Sequence, residues 1–142
     1  MGKSYEDLHK GDKASFSKTI SESDVYLFAG LSGDFNPMHV NEVYCRQTPF
    51  KSRVAHGPLT QSLIATVLGT KLPGLGTIAL ELFVRFLAPV YIGDTVTATA
   101  EVAEKREDKK WVRFNTSWVN QERKLVAEGY ALVIPPRRAG EE

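Results

Sequence analysis

The chain has 142 residues, 42% of them hydrophobic and 25% charged, with a formal net charge of +1. That is the size of one domain with a real core, and the balanced charge offers no electrostatic grip on nucleic acid or a membrane surface. One cysteine, Cys45, excludes an internal disulfide and fits a reducing cytoplasm; no run of about 18 apolar residues offers a membrane span, and the opening MGKSYEDLHK has no apolar signal-peptide core.

Residues 13–20, KASFSKTI, alternate weakly and suit a short strand. In SESDVYLFAGLSGD, Ser21 is a good N-cap and Asp24 sits where a capping box needs its acid. Val25, Phe28 and Ala29 then make one apolar stripe of a short helix that Gly33 ends. The next element starts in AHGPLTQSLIATVLGTKLPG. Pro58 fits a first helical position. Leu59, Leu63, Ile64, Val67 and Leu68 repeat at helical spacing until Pro73 and Gly74, which predicts a largely buried helix over about 58–70.

After Gly76 the period changes to two. Ile78, Leu80, Leu82, Val84 and Phe86 alternate with polar residues, and so do Val96, Ala98, Ala100 and Val102. Val112, Phe114 and Trp118 mark a third run and KLVAEGYALVI, 124–134, a fourth, with YIGD, KREDKK and NQER as turns. Four such runs predict an antiparallel meander, with the tail PPRRAGEE, 135–142, frayed. A long apolar helix must be covered on most sides, so the pattern predicts an α+β domain: a curved antiparallel β-sheet wrapped around one central helix.

The string SGDFNPMH, Ser32 to His39, places an acid and an imidazole five residues apart. On a continuous helix five positions turn about 500°, leaving Asp34 and His39 about 140° apart. That helix is prevented anyway: Asn36 precedes Pro37 and is pushed toward extended geometry, and Gly33 frees the chain to turn. The expected structure is a turn ending in a cap, with Asn36 as N-cap, Pro37 at the first helical position and His39 at the third. The partial positive charge of a helix N-terminus disfavours imidazolium, and neutral imidazole can take a proton. An acid and a base sharing one water is then a plausible geometry.

This string resembles the signature of the R-specific enoyl-CoA hydratases, or MaoC-like dehydratases, in Phe28, Leu31, Ser32, Gly33, Asp34, Asn36, Pro37 and His39. Met38 replaces the usual aliphatic residue and Cys45 the usual Ala or Ser. AHGPL at Ala55 to Leu59 and FLAPVYIGD at Phe86 to Asp94 resemble two further family motifs, so the likeness covers about residues 12–134 of a single domain, 1–142. It implies a hotdog fold, a homodimer with sheets joined edge to edge, no cofactor, and reversible hydration of a trans-2-enoyl-CoA to the (R)-3-hydroxyacyl-CoA. By resemblance Asp34 and His39 are the catalytic pair, with His39 as base toward water and Asp34 handling the Cα proton.

The backbone N–H of Gly57 is the candidate oxyanion donor; the bland reading is a tight entry turn. Asn36, Pro37 and His56 are expected to position the loop. Ser62 is a candidate for the acyl pocket or an ordinary polar position, and Cys45 is expected to be packed rather than reactive. Arg46, Lys51, Arg53 and Arg85 are candidates for coenzyme A phosphates or plain solvated charges. No His and Cys spacing suggests a metal. Two other functions use the same fold: dehydration of acyl-carrier-protein thioesters by the same pair, and a non-catalytic subunit that binds acyl thioesters.

Overall fold

The structure, a computed structural model, describes residues 1–141. A 3-10 turn over Tyr5–Asp7 precedes β1 (Lys13–Thr19), α1 (Glu22–Ser32), two short helices α2 (Pro37–Val40) and α3 (Glu42–Arg46), and the long α4 (Gly57–Thr70). Four strands follow: β2 (Ile78–Phe86), β3 (Thr95–Arg106), β4 (Trp111–Val119) and β5 (Leu125–Ile134).

Helix α1 starts where its cap dictates. Ser21 Oγ accepts from the Asp24 N–H at 3.1 Å and Asp24 Oδ2 accepts from the Ser21 N–H at 2.9 Å. It ends at Gly33, whose φ of +81° is the left-handed stop that glycine takes without strain. Helix α4 carries the central core stripe. Leu59, Leu63, Ile64, Val67 and Leu68 are all buried, against the inner faces of β1 and β3 above all. Val96, Ala98, Ala100 and Val102 of β3, with Val112, Phe114 and Trp118 of β4, form the opposing surface. The two alanines leave room for a helix to approach the sheet. Fully burying one leucine of this stripe contributes about 2 kcal/mol.

The strand order is β1-β3-β4-β5-β2, every neighbouring pair antiparallel. The expected meander holds for β3, β4 and β5. It fails for β2, which pairs with β5 at the far edge, because β1 already occupies the second side of β3. The link 87–94 therefore travels back across the ends of β5 and β4. On the way the Ala55 N–H donates to Val90 O at 2.7 Å, and Val54 bridges Tyr91. The tail also departs from the expectation of fraying over residues 135–138, while Glu142 lies outside the described residues. Pro135 and Pro136 are buried, and Arg138 reaches Asp7 at 2.9 Å and Ser4 at 3.3 Å.

Candidate active site

The turn between α1 and α2 forms as its proline and asparagine require. Asn36 Oδ1 accepts from the Met38 N–H at 3.1 Å, capping α2, with Pro37 at the first position. The same Asn36 donates its backbone N–H to Asp34 Oδ1 at 3.1 Å. One carboxylate oxygen of Asp34 is thereby fixed, and the other, Oδ2, lies 3.8 Å from His39 Nε2. The side chain of Asp34 is 47% exposed and that of His39 12%.

The orientation of His39 is set by a residue the sequence did not single out. His39 Nδ1 lies 2.7 Å from Val54 O. A carbonyl oxygen only accepts, so Nδ1 carries the proton; in the neutral ring the lone pair is on Nε2, facing Asp34. Helix α2 has four residues, too short for much of a dipole, so the Val54 carbonyl, rather than the helix terminus, decides which nitrogen is free.

His56 is fully buried. Its ring stacks on that of His39, centroids 3.8 Å apart and planes 25° apart, and packs against Phe28 at 4.8 Å. Its Nε2–H donates to Asp34 O at 3.0 Å. His56 thus touches both members of the pair, one through its ring face and the other through its backbone. Cys45 Sγ donates to Met38 O at 3.2 Å and Pro37 O at 3.5 Å, and burial pushes the thiol above its ordinary pKa.

Asp34, His39, Gly57, Thr60 and Phe86 line one cavity of ≈ 530 Å³. Gly57 opens α4, where the N–H of a first residue has no intrahelical partner. A Cβ at this position would lie 2.8 Å from Phe86 Cζ, so any side chain here would have to displace the ring of Phe86. Ser62 is not among the lining residues; it is exposed and donates to Leu59 O at 2.6 Å. The four basic candidates also lie off the cavity wall. Arg46 and Lys51 are exposed. Arg85 lines a polar groove with Glu101 and Glu128 on the outer face of the sheet. Arg53 is engaged internally by Glu22, Tyr26 and Glu42. Val54, Phe28 and Phe86 are the contributors that spacing alone missed; the two phenylalanines do stand within the quoted family motifs.

Among the described residues, Asp34, His39 and His56 bring possible metal-ligand atoms within 4.8 Å of one another. Each histidine already commits one nitrogen to a carbonyl, and their rings lie face to face. That arrangement suits proton transfer better than a ligand cage, which needs nitrogen lone pairs converging on one point.

A long helix covered by a curved antiparallel sheet, with an acid–imidazole pair at one end of the helix, defines a hotdog-fold protein. The MaoC-like domain model matches residues 7–122. The chain is 53% identical to an (R)-specific enoyl-CoA hydratase of Rhodospirillum rubrum, covering 94% of this chain and 92% of that one. It is 43% identical to a 3-hydroxybutyryl-CoA dehydratase of Methylorubrum extorquens, covering 94% and 85%. An unliganded R-hydratase structure from Pseudomonas aeruginosa superposes with a TM-score of 0.91 at 42% identity, covering 96% and 88%. The chain belongs to the MaoC-like family.

Proposed function

We propose that this protein catalyses reversible hydration of trans-2-enoyl-CoA to (R)-3-hydroxyacyl-CoA, with Asp34 and His39 acting on a single water. The observation that carries the reading is the His39 Nε2 lone pair, 3.8 Å from Asp34 Oδ2 at the wall of a cavity. A water about 2.8 Å from each atom would subtend an angle of about 85°, so one water fits between them. The names of the hydratase and dehydratase relatives support the substrate class.

The water oxygen adds to Cβ and its proton passes to His39 Nε2. A proton reaches Cα from Asp34. The pair enters the cycle with one proton, on the Asp34 carboxyl; it gives that proton to Cα, takes one from the water on His39 Nε2, and passage of that proton from His39 back to Asp34 through the next water closes the balance. The thioester oxygen gains charge as Cβ is attacked. The Gly57 N–H at the head of α4 is our candidate donor to it, and losing one such donor typically costs about 3 kcal/mol.

The working form we propose is a homodimer joined through β2. Leu82 lies on the same strand face as Phe86, which packs on Gly57, yet it is 47% exposed; Phe86 itself is 50% exposed. A helix-facing apolar row left half uncovered on a free sheet edge suits a second copy of the chain. The lone thiol supports the cytoplasm as the place of action. The test is hydration of enoyl-CoAs of increasing chain length with chiral analysis of the product, alongside carrier-protein thioesters and sedimentation of the enzyme. A mainly (S)-product would overturn the assignment, and a preference for the carrier-protein substrate would move it to the second reading.

A further inference from the structure

We infer that Arg53 is a positioning residue for the proton-transfer pair, clamping the turn that carries His39 onto the Val54 carbonyl that selects its tautomer. The inference rests on the reading of Asp34 and His39 given above. Arg53 immediately precedes Val54, and its side chain is only 12% exposed. Its guanidinium donates to Glu22 Oε1 at 2.5 Å, Tyr26 Oη at 2.9 Å and Glu42 Oε2 at 3.3 Å. Its backbone N–H also meets Glu42 Oε2, at 3.4 Å. The bond from Arg53 holds the Glu22 carboxyl below its ordinary pKa, as an ionised partner requires.

Three segments therefore converge on one cation. Glu22 and Tyr26 belong to α1, which ends just before Asp34; Glu42 opens α3, three residues after His39. The third segment is 53–54 itself, where the Val54 N–H donates to Met38 O at 3.1 Å and Val54 O accepts from His39 Nδ1 at 2.7 Å. A planar guanidinium offers five donors in a fixed fork and can serve three partners at once, which an ammonium does poorly. Without the clamp, α3 and the 53–54 segment can separate. The His39 ring then loses the acceptor that keeps Nε2 bare and aimed at Asp34. With its donors committed to Glu22, Tyr26 and Glu42, Arg53 is a poor candidate for a substrate phosphate.

The test uses the full chain with Arg53→Met and Glu42→Gln. Kinetics are measured with crotonyl-CoA and with crotonyl-pantetheine, which lacks the nucleotide phosphates. Long-range ¹H–¹⁵N NMR reads the tautomer of the His39 ring. In Arg53→Met, kcat is expected to fall roughly 10- to 100-fold, as misplacement of a reacting group does. KM for both substrates is expected to stay within about twofold. The His39 ring is expected to change from a single Nδ1–H tautomer to a mixture, with Glu42→Gln moving both readouts the same way by less. A wild-type ring signature with wild-type kcat in Arg53→Met overturns the inference, as does a rise in KM confined to crotonyl-CoA. If Arg53→Met fails to fold, Glu42→Gln, which keeps the guanidinium, is judged by the same two outcomes. If the wild-type enzyme hydrates neither substrate, the functional reading fails, and the clamp still stands or falls on the ring tautomer.

Discussion

Asp34→Asn separates chemistry from stability. Asparagine keeps the oxygen that accepts from the Asn36 N–H at 3.1 Å, so the turn that shapes the site survives. The carboxylate is 47% exposed, and no buried charge is left unpaired. A change of this kind usually alters stability by less than about 0.5 kcal/mol, or about 2 °C in Tm for a chain of this size. What changes is the group facing His39 Nε2: a carboxyl that can carry the proton bound for Cα becomes an NH₂ that cannot release one, and that NH₂ also donates to the lone pair that should take the proton from water. General acid–base groups typically contribute 10²–10⁴ in rate, which is about 3–5 kcal/mol of barrier. With crotonyl-CoA, followed by loss of enoyl-thioester absorbance, kcat should fall by at least about 100-fold with little change in KM. The double variant Asp34→Asn, His39→Gln should be at most about tenfold worse than the poorer single variant, because groups that act as a unit are not additive. Activity of Asp34→Asn within about tenfold of wild type, on a folded protein, would refute a proton-transfer role for this carboxyl group.

Gly57→Ala places a Cβ 2.8 Å from the Phe86 ring; that ring is half exposed and can swing, so we expect a Tm loss matching about 1 kcal/mol and a clear drop in kcat/KM in the same assay. A fully active alanine variant would remove the close-approach argument for this glycine. Asp24 and Asp7 have carboxyl pKa values held below 3.8, Asp24 first by the Ser21 N–H and then by Lys18, Asp7 first by the Ser4 hydroxyl and then by Arg138. Their contribution is complete above the unfolded value and lost as pH falls through the lower folded one, so Tm should decline below about pH 4. Asp24→Asn should lower Tm at pH 7 and flatten that acid decline, as thermal melts across pH will show. Cys45, buried with its thiol pKa raised, should react with a thiol reagent only after denaturant is added; a rapid equivalent in the native protein would contradict its packing.

The local half of this molecule could be read from its residues. Ser21 with Asp24, Asn36 before Pro37, and the leucine stripe after Pro58 each act within a turn or two of chain, so spacing reveals them. The outer half could not. Periodicity in Ile78–Phe86 says which residues share a face, not which strand lies alongside, and β2 joins β5 rather than β3. The acceptor that orients His39 was missed for a connected reason. Because β2 lies at the far edge, the 87–94 link must return across the sheet ends, and there it pairs Val90 and Tyr91 with Ala55 and Val54. That pairing holds the Val54 carbonyl 2.7 Å from His39 Nδ1. One non-local choice, the partner of β2, thus determines both the topology and the supply of a fixed acceptor for the base. On the other side Met38 O accepts from the Val54 N–H and Glu42 holds the neighbouring Arg53, so the carbonyl is anchored from the sheet ends and from the helical layer at once. A catalytic string of eight residues can specify its own turn, but the direction its imidazole faces is decided by chain fifteen residues and more away.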